Sequence, residues 1–156
     1  MTTRRADGVG VLRPAGHSVP QTVGRLALGA ALVFAGSGHL TFARDEFTAQ
    51  VPQWVPIDED LVVLASGVVE IVLGGALLAA PRRFRPMVGV VAAAFFVAIF
   101  PGNIGQWREG VDGFGLDTDT KRFARLLFQP VLVALALWST GGWHLVRRGL
   151  RSVTPR

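Results

Sequence analysis

Residues 61–80 read LVVLASGVVEIVLGGALLAA, an apolar run interrupted by a single acid, Glu70. A helix of about 20 apolar residues crosses a hydrocarbon core of roughly 30 Å, so this stretch is long enough to span a membrane. A carboxylate near the bilayer middle costs about 2.5 kcal/mol or more even on permissive insertion scales, so it faces a partner or a wet cavity rather than lipid. Ser66, Gly67, Glu70 and Gly74 fall on one helical stripe. Glu70 is therefore turned along a small-residue face, towards a neighbouring helix.

Three more stretches qualify as spans: residues 22–42, 87–107 and 123–145. Half of the 156 residues are hydrophobic and the mean hydropathy is positive, a membrane-like composition. The length fits one domain. The expected architecture is all-α, a four-transmembrane-helix bundle over residues 20–146. It is flanked by a disordered, Gly-, Pro- and Arg-rich arm at 1–19 and a basic tail at 147–156. The first span is longer than a signal-peptide core, and the loop pattern needs it as a span.

The net charge of +5 is not spread evenly. Arg4, Arg5, Arg13 and Arg25 precede or open the first span, Arg82, Arg83 and Arg85 fill the second loop, and Arg147, Arg148, Arg151 and Arg156 form the tail; Asp7 is the only acid on that side. Loops one and three carry Asp45, Glu46, Asp58, Glu59, Asp60, Glu109, Asp112, Asp117 and Asp119. Under the positive-inside rule both termini are cytoplasmic and these two loops lie outside. Contact of the basic side with anionic headgroups accounts for the charge without nucleic acid. The expected address is the cytoplasmic (inner) membrane of a bacterium, since Arg, Ala, Gly and Val dominate as in GC-rich genomes.

Each of the other spans also carries polar side chains: His39 in the first, Asn103 in the third, Arg125 and Gln129 in the fourth. Counting 1.5 Å per residue, Glu70 lies roughly 14 Å from Leu61, while Gln129 and Arg125 lie about 9 and 3 Å from Phe123. His39 and Asn103 lie roughly 26 and 24 Å along helices that run outward. All five fall in the outer half, a funnel with Glu70 deepest. Loop one, ARDEFTAQVPQWVPIDED, places Trp54 between Pro52 and Pro56. Prolines discourage a continuous helix there, and tryptophan favours the headgroup level, so an interfacial flap is expected. Pro101 and Pro130 interrupt the ladders of their spans, and the Gly- and Asp-rich third loop is expected to be flexible.

With no cysteine, thiolate, disulfide and iron–sulfur chemistry are excluded for this chain alone. One carboxylate and one histidine on different helices lack the spacing of a metal site, and no catalytic triad or phosphate-cradling loop occurs. His39, Glu70, Asn103, Arg125 and Gln129 are candidates for ligand or proton binding. They read equally as glue, with Asn103 and Gln129 bonding between helices, Arg125 snorkelling or serving as counter-ion to Glu70, and His39 bonded near the headgroups.

FAGSGHLTF at the end of the first span, VPQWVP in loop one, SGVVEIVLGGALL in the second span, FPGNIGQW in the third and RLLFQPVLVALALW in the fourth together resemble the DoxX/DoxD group of small four-helix bacterial membrane proteins. The resemblance covers about residues 22–140. It implies a cytoplasmic-membrane bundle, with His39, Glu70, Asn103 and Gln129 on the group's recurring polar positions. It also implies a link to redox complexes, DoxD-type relatives being associated with thiosulfate:quinone oxidoreduction beside a second subunit and DoxX-type relatives with membrane-associated redox complexes. Lacking a cysteine and a separate periplasmic domain, this chain is expected to be an accessory, quinone-linked component rather than to carry thiosulfate chemistry alone. Distant relatives act as assembly factors, which makes a scaffold the alternative. Proton-coupled transport is disfavoured by the small number of helices unless the protein forms a homo-oligomer.

Overall fold

A computed structural model describes residues 18–48 and 50–153; most of the arm expected at 1–19, and the end of the tail, lie outside them. The described residues are helical, with α1 at Val19–Leu40, α2 at Arg44–Thr48, α3 at Glu59–Ala79, α4 at Arg85–Glu109, α5 at Asp119–Thr140 and α6 at Trp143–Val153. Four of them, α1, α3, α4 and α5, are long and apolar enough to cross a membrane. The helix starts follow from their caps. Ser18 and Gln21 form a reciprocal capping box before α1, Asp58 accepts from the Leu61 amide, and Thr118 accepts from the Lys121 amide. Each satisfies an amide that the first turn leaves free.

Differences from the sequence reading have local causes. The fourth span ends at Thr140 rather than 145, because Gly141 takes φ +76°, a conformation that stops a helix and suits glycine. The basic tail then forms a separate helix, α6. Loop one holds a one-turn helix, α2, before its prolines. Both α4 and α5 continue through Pro101 and Pro130. The third loop is tied down: Arg122 pairs with Asp112 and Asp119 and donates to the Val111 carbonyl, and the Phe114 amide donates to Glu46. The hydrogen bond from Lys121 holds the Asp117 carboxyl below the usual carboxylate range.

α1 packs closely on α3, α4 on α5, and α1 on α5; α3 and α4 touch far less. The tightest seam is α1–α3. A β-carbon on Gly36 would stand 2.6 Å from the Gly67 carbonyl oxygen, and one on Gly74 would stand 2.6 Å from the Gly29 carbonyl oxygen. Only glycine allows that approach. On α4, Gly89 has Thr140 of α5 against its Cα, leaving no space for a side chain.

Two ends can be distinguished: a basic end, with the start of α1, loop two and α6, and a flap end, with loops one and three. The apolar core of Leu28, Leu32, Leu73, Leu77, Ala92, Ala93, Phe96, Ala136 and Leu137 fills the half nearer the basic end. Arg25 is buried there and donates to the Leu77 and Leu78 carbonyls at the last turn of α3, where a cation meets the negative end of the helix dipole. Outward-facing Phe34, Val72, Val97 and Val131 are each more than half exposed, an apolar girdle that water does not tolerate over so wide a surface.

The glycine seam yields a test. Gly36→Ala and Gly74→Ala should each lower unfolding stability in detergent by about 1–3 kcal/mol through overpacking. Gly75→Ala, with nothing within 4 Å of the added carbon, should leave it unchanged or slightly raised. Equal melting curves for all three would refute a close-packed seam.

Candidate functional site

The α1–α3 seam delivers the first pair of polar groups. On these antiparallel helices His39 packs against Gly67 and Glu70 against Gly36, a β-carbon on either glycine standing 2.7 or 3.0 Å from the facing Cβ, so the crossing of these glycines brings the two side chains together. His39 Nδ1 is 3.1 Å from Glu70 Oε2 and 2.9 Å from the Ala35 carbonyl oxygen. The hydrogen-bond direction is taken by the carbonyl, and Glu70 Oε2 has no aligned donor among the described residues. The other side of the imidazole is covered by Phe47 of α2, stacked at 3.4 Å between centroids and tilted by 15°, with Phe114 of loop three 4.6 Å beyond it. Glu70 is 6% exposed. A buried carboxyl oxygen without a donor costs about 1–3 kcal/mol, and more when charged.

The second pair sits across the bundle. Asn103 Nδ2 donates to Gln129 Oε1 at 3.1 Å, and Gln129 Nε2 donates to the Phe96 carbonyl at 2.6 Å. Both side chains are buried. Their amides close the α4–α5 seam two residues from Pro101 and beside Pro130, where the backbone ladder is weakest. Arg125, one turn before Gln129, donates to Gln106 Oε1 at 3.2 Å, and Gln106 Nε2 reaches the Val111 carbonyl at 3.4 Å. Arg125 belongs to no ion pair among the described residues, and the partner of Glu70 is His39 rather than Arg125. The counter-ion reading of Arg125 is therefore corrected: the guanidinium is held by a neutral amide.

These groups surround one cavity of about 390 Å³, in the gap that α3 and α4 leave near the flap end. His39, Glu70, Asn103 and Arg125 line it; Gln129 stands behind Asn103 and does not. Val62, Val63, Phe95, Ala98 and Ile99 form its apolar wall, and Pro52, Trp54 and Val55 of the flap roof it. Pro52 is buried against Gly105 of α4, whereas Trp54 is 65% exposed and Pro56 is exposed and does not line the cavity. The volume lies within the ~300–1,000 Å³ typical of small-molecule sites, as does an apolar wall with a few convergent polar groups.

Sequence reasoning missed three contributors. Gln106 is buried at 2% exposure and lies three residues after Asn103, so the same-face rule could have found it. Gln50 lines the cavity with a buried Nε2 that has no acceptor among the described residues. Its place depends on how loop one folds, and no local pattern announces it. Phe47 is one apolar residue among the charges of loop one, and nothing in its local sequence marks it as the ring that stacks on His39.

A multi-pass helical membrane protein with a polar-walled cavity at one end is the class that this fold and site define. Within it, residues 28–140 match a family described as a domain of unknown function, DUF8561, and the chain belongs to that family. No curated protein and no solved structure matches the chain.

The Asn103–Gln129 bond can be measured directly. A double-mutant cycle with Asn103→Leu and Gln129→Leu should give a coupling of about 0.5–1.5 kcal/mol in detergent unfolding. Strictly additive losses would mean that the two amides do not act together.

Proposed function

We propose that this chain is a DoxX-like, accessory protein of a bacterial cytoplasmic membrane, with both termini inside, whose outward-opening cavity holds a lipophilic ligand of the quinone type. The arginines at the basic end and the acids of loops one and three support this orientation under the positive-inside rule. The observation that carries the ligand reading is that two residues lining the cavity each hold a buried polar atom with no hydrogen-bond partner among the described residues: Glu70 Oε2 has no donor and Gln50 Nε2 no acceptor. A head group bearing a hydroxyl and a carbonyl on a ring, as quinols and quinones do, would meet both needs while its ring and tail lie on Val62, Phe95 and Ile99. Arg125 and Asn103 supply further donors towards carbonyl oxygen. The sparse α3–α4 contact offers a way in from the bilayer. Glu70 and His39, in contact at 3.1 Å, can pass a proton between ligand and imidazole.

A second reading has its own support. Trp54 and Ile57 stand more than half exposed on the flap, as a surface for another membrane protein would. In that scaffold role the polar cluster only fixes helix register.

Short-tailed quinone added to detergent-purified protein should quench Trp54 and raise the melting temperature, and Glu70→Gln should weaken that binding by about tenfold, the loss of one hydrogen bond to a charged or acidic group. Quinone should also be found in lipid extracted from the purified protein. If none co-purifies and added quinone changes neither signal, the ligand reading fails. Loss of partner crosslinking in Trp54→Ala, with no quinone effect, would favour the scaffold.

A further inference from the structure

The basic end poses a charge problem independent of the cavity. Arg25, Arg82, Arg83, Arg85, Arg147, Arg148 and Arg151 meet there, and no acid of the described residues lies at that end. Among the described residues, the neighbours that take up their charge are carbonyls and a ring: Arg25 on Leu77 and Leu78, Arg85 on Ala80, and Arg83 over Phe84. Arg25 Nε is buried with no partner among the described residues. Arg147, Arg148 and Arg151 are exposed on α6 and enter no ion pair with the described residues.

α6 is built in two faces. Trp143, Val146 and Leu150 recur at i, i+3 and i+7, and His144, Arg147, Arg148 and Arg151 at i, i+3, i+4 and i+7, so each set shares one side of the helix. Val146 packs on the core of the bundle, while Trp143 and Leu150 are 41% and 66% exposed. The start of α6 is fixed beside loop two, since a β-carbon on Gly142 would stand 3.2 Å from the Pro86 carbonyl oxygen. It follows directly on the last turn of a membrane-spanning helix, from which only Gly141 and Gly142 separate it. A short helix with one apolar and one arginine-rich face, held at the end of a span, has the form of an interfacial segment.

We infer that α6 and loop two form a docking surface for anionic phospholipid, with α6 lying along the headgroups, Trp143 and Leu150 inserted at the acyl boundary and the arginines on lipid phosphates. The counter-charge that the described residues lack at this end is then supplied by the bilayer.

The test uses the full-length chain carrying Trp54→Phe, Trp107→Phe and Trp138→Phe, so that Trp143 alone reports. It is reconstituted in nanodiscs of phosphatidylcholine, with or without phosphatidylglycerol. Phosphatidylglycerol should shift Trp143 emission to the blue and lower its acrylamide quenching by about twofold, and raised salt should reverse both. The exposed arginines can be changed without touching the core. R147Q/R148Q/R151Q should abolish the response, and R147K/R148K/R151K should keep it. As a second measurement, the parent chain purified in detergent should retain at least about twice the phosphatidylglycerol of the glutamine variant. The inference is overturned if quenching is the same in both lipids, if the glutamine variant responds like its parent, or if glycerol phosphate in solution reproduces the shift on phosphatidylcholine alone.

Discussion

The close crossing of α1 and α3 at Gly36 and Gly67, repeated at Gly29 and Gly74, sets the geometry of everything above it. In a bilayer no hydrophobic force draws helices together, so backbone proximity and dispersion must do so. Two glycine contacts, two turns apart on each helix, fix both the distance and the rotation of the pair. Rotation is what matters for the polar groups. It lays His39 against Gly67 and Glu70 against Gly36 across the antiparallel crossing, so that the two side chains meet and face away from lipid. A carboxyl placed elsewhere on α3 would meet acyl chains; placed here it meets an imidazole at 3.1 Å.

The same seam explains why the bundle is solid at one end and hollow at the other. α1 with α3, and α4 with α5, are well-packed pairs, and α1 with α5 joins them. The fourth side, α3 with α4, is left loosely closed. Near the basic end Leu73, Leu77, Ala92 and Ala93 fill it. Towards the flap end it widens into the cavity, and the chain closes the top with loop one instead of with helix packing. Phe47 on His39 and Pro52 on Gly105 make that roof part of the fold, so the flap is a wall of the site and not a loose appendage.

Much of this was legible in the sequence because the bilayer simplifies the reading. Length and apolarity mark the four spans, and a polar residue inside an apolar run is conspicuous against its background. His39, Glu70, Asn103 and Arg125 could be placed at similar depth by counting rise per residue, and the structure puts them on one cavity. What counting lacks is azimuth: it puts Gln129 with the others, yet that amide faces the α4–α5 seam behind Asn103. Nor could it choose a partner for Glu70, because His39 and Arg125 were both within reach in depth. The end of α5 was misjudged for another reason. Hydropathy runs on through Trp143 and Leu145, whereas the break is made by the backbone of Gly141 at positive φ. Once that break is recognised, the arginine periodicity beyond it reads as a helix of its own.

Charge at the two ends of the molecule is managed in opposite ways. At the flap end three cations are matched within the chain: Arg44 with Asp60, Lys121 with Asp117, Arg122 with Asp112 and Asp119. These pairs staple loops to helix starts, and with nine acids against five basic residues that end stays net acidic. At the basic end the arginines bond only carbonyls or stand exposed. Arg125 stands outside these pairs, a cation on the cavity wall whose hydrogen-bond partner among the described residues is the amide of Gln106. Had an acid stood in place of Gln106, the guanidinium would be neutralised and its remaining donors drawn off the cavity. A neutral acceptor holds it in position and leaves its charge directed at whatever the cavity contains.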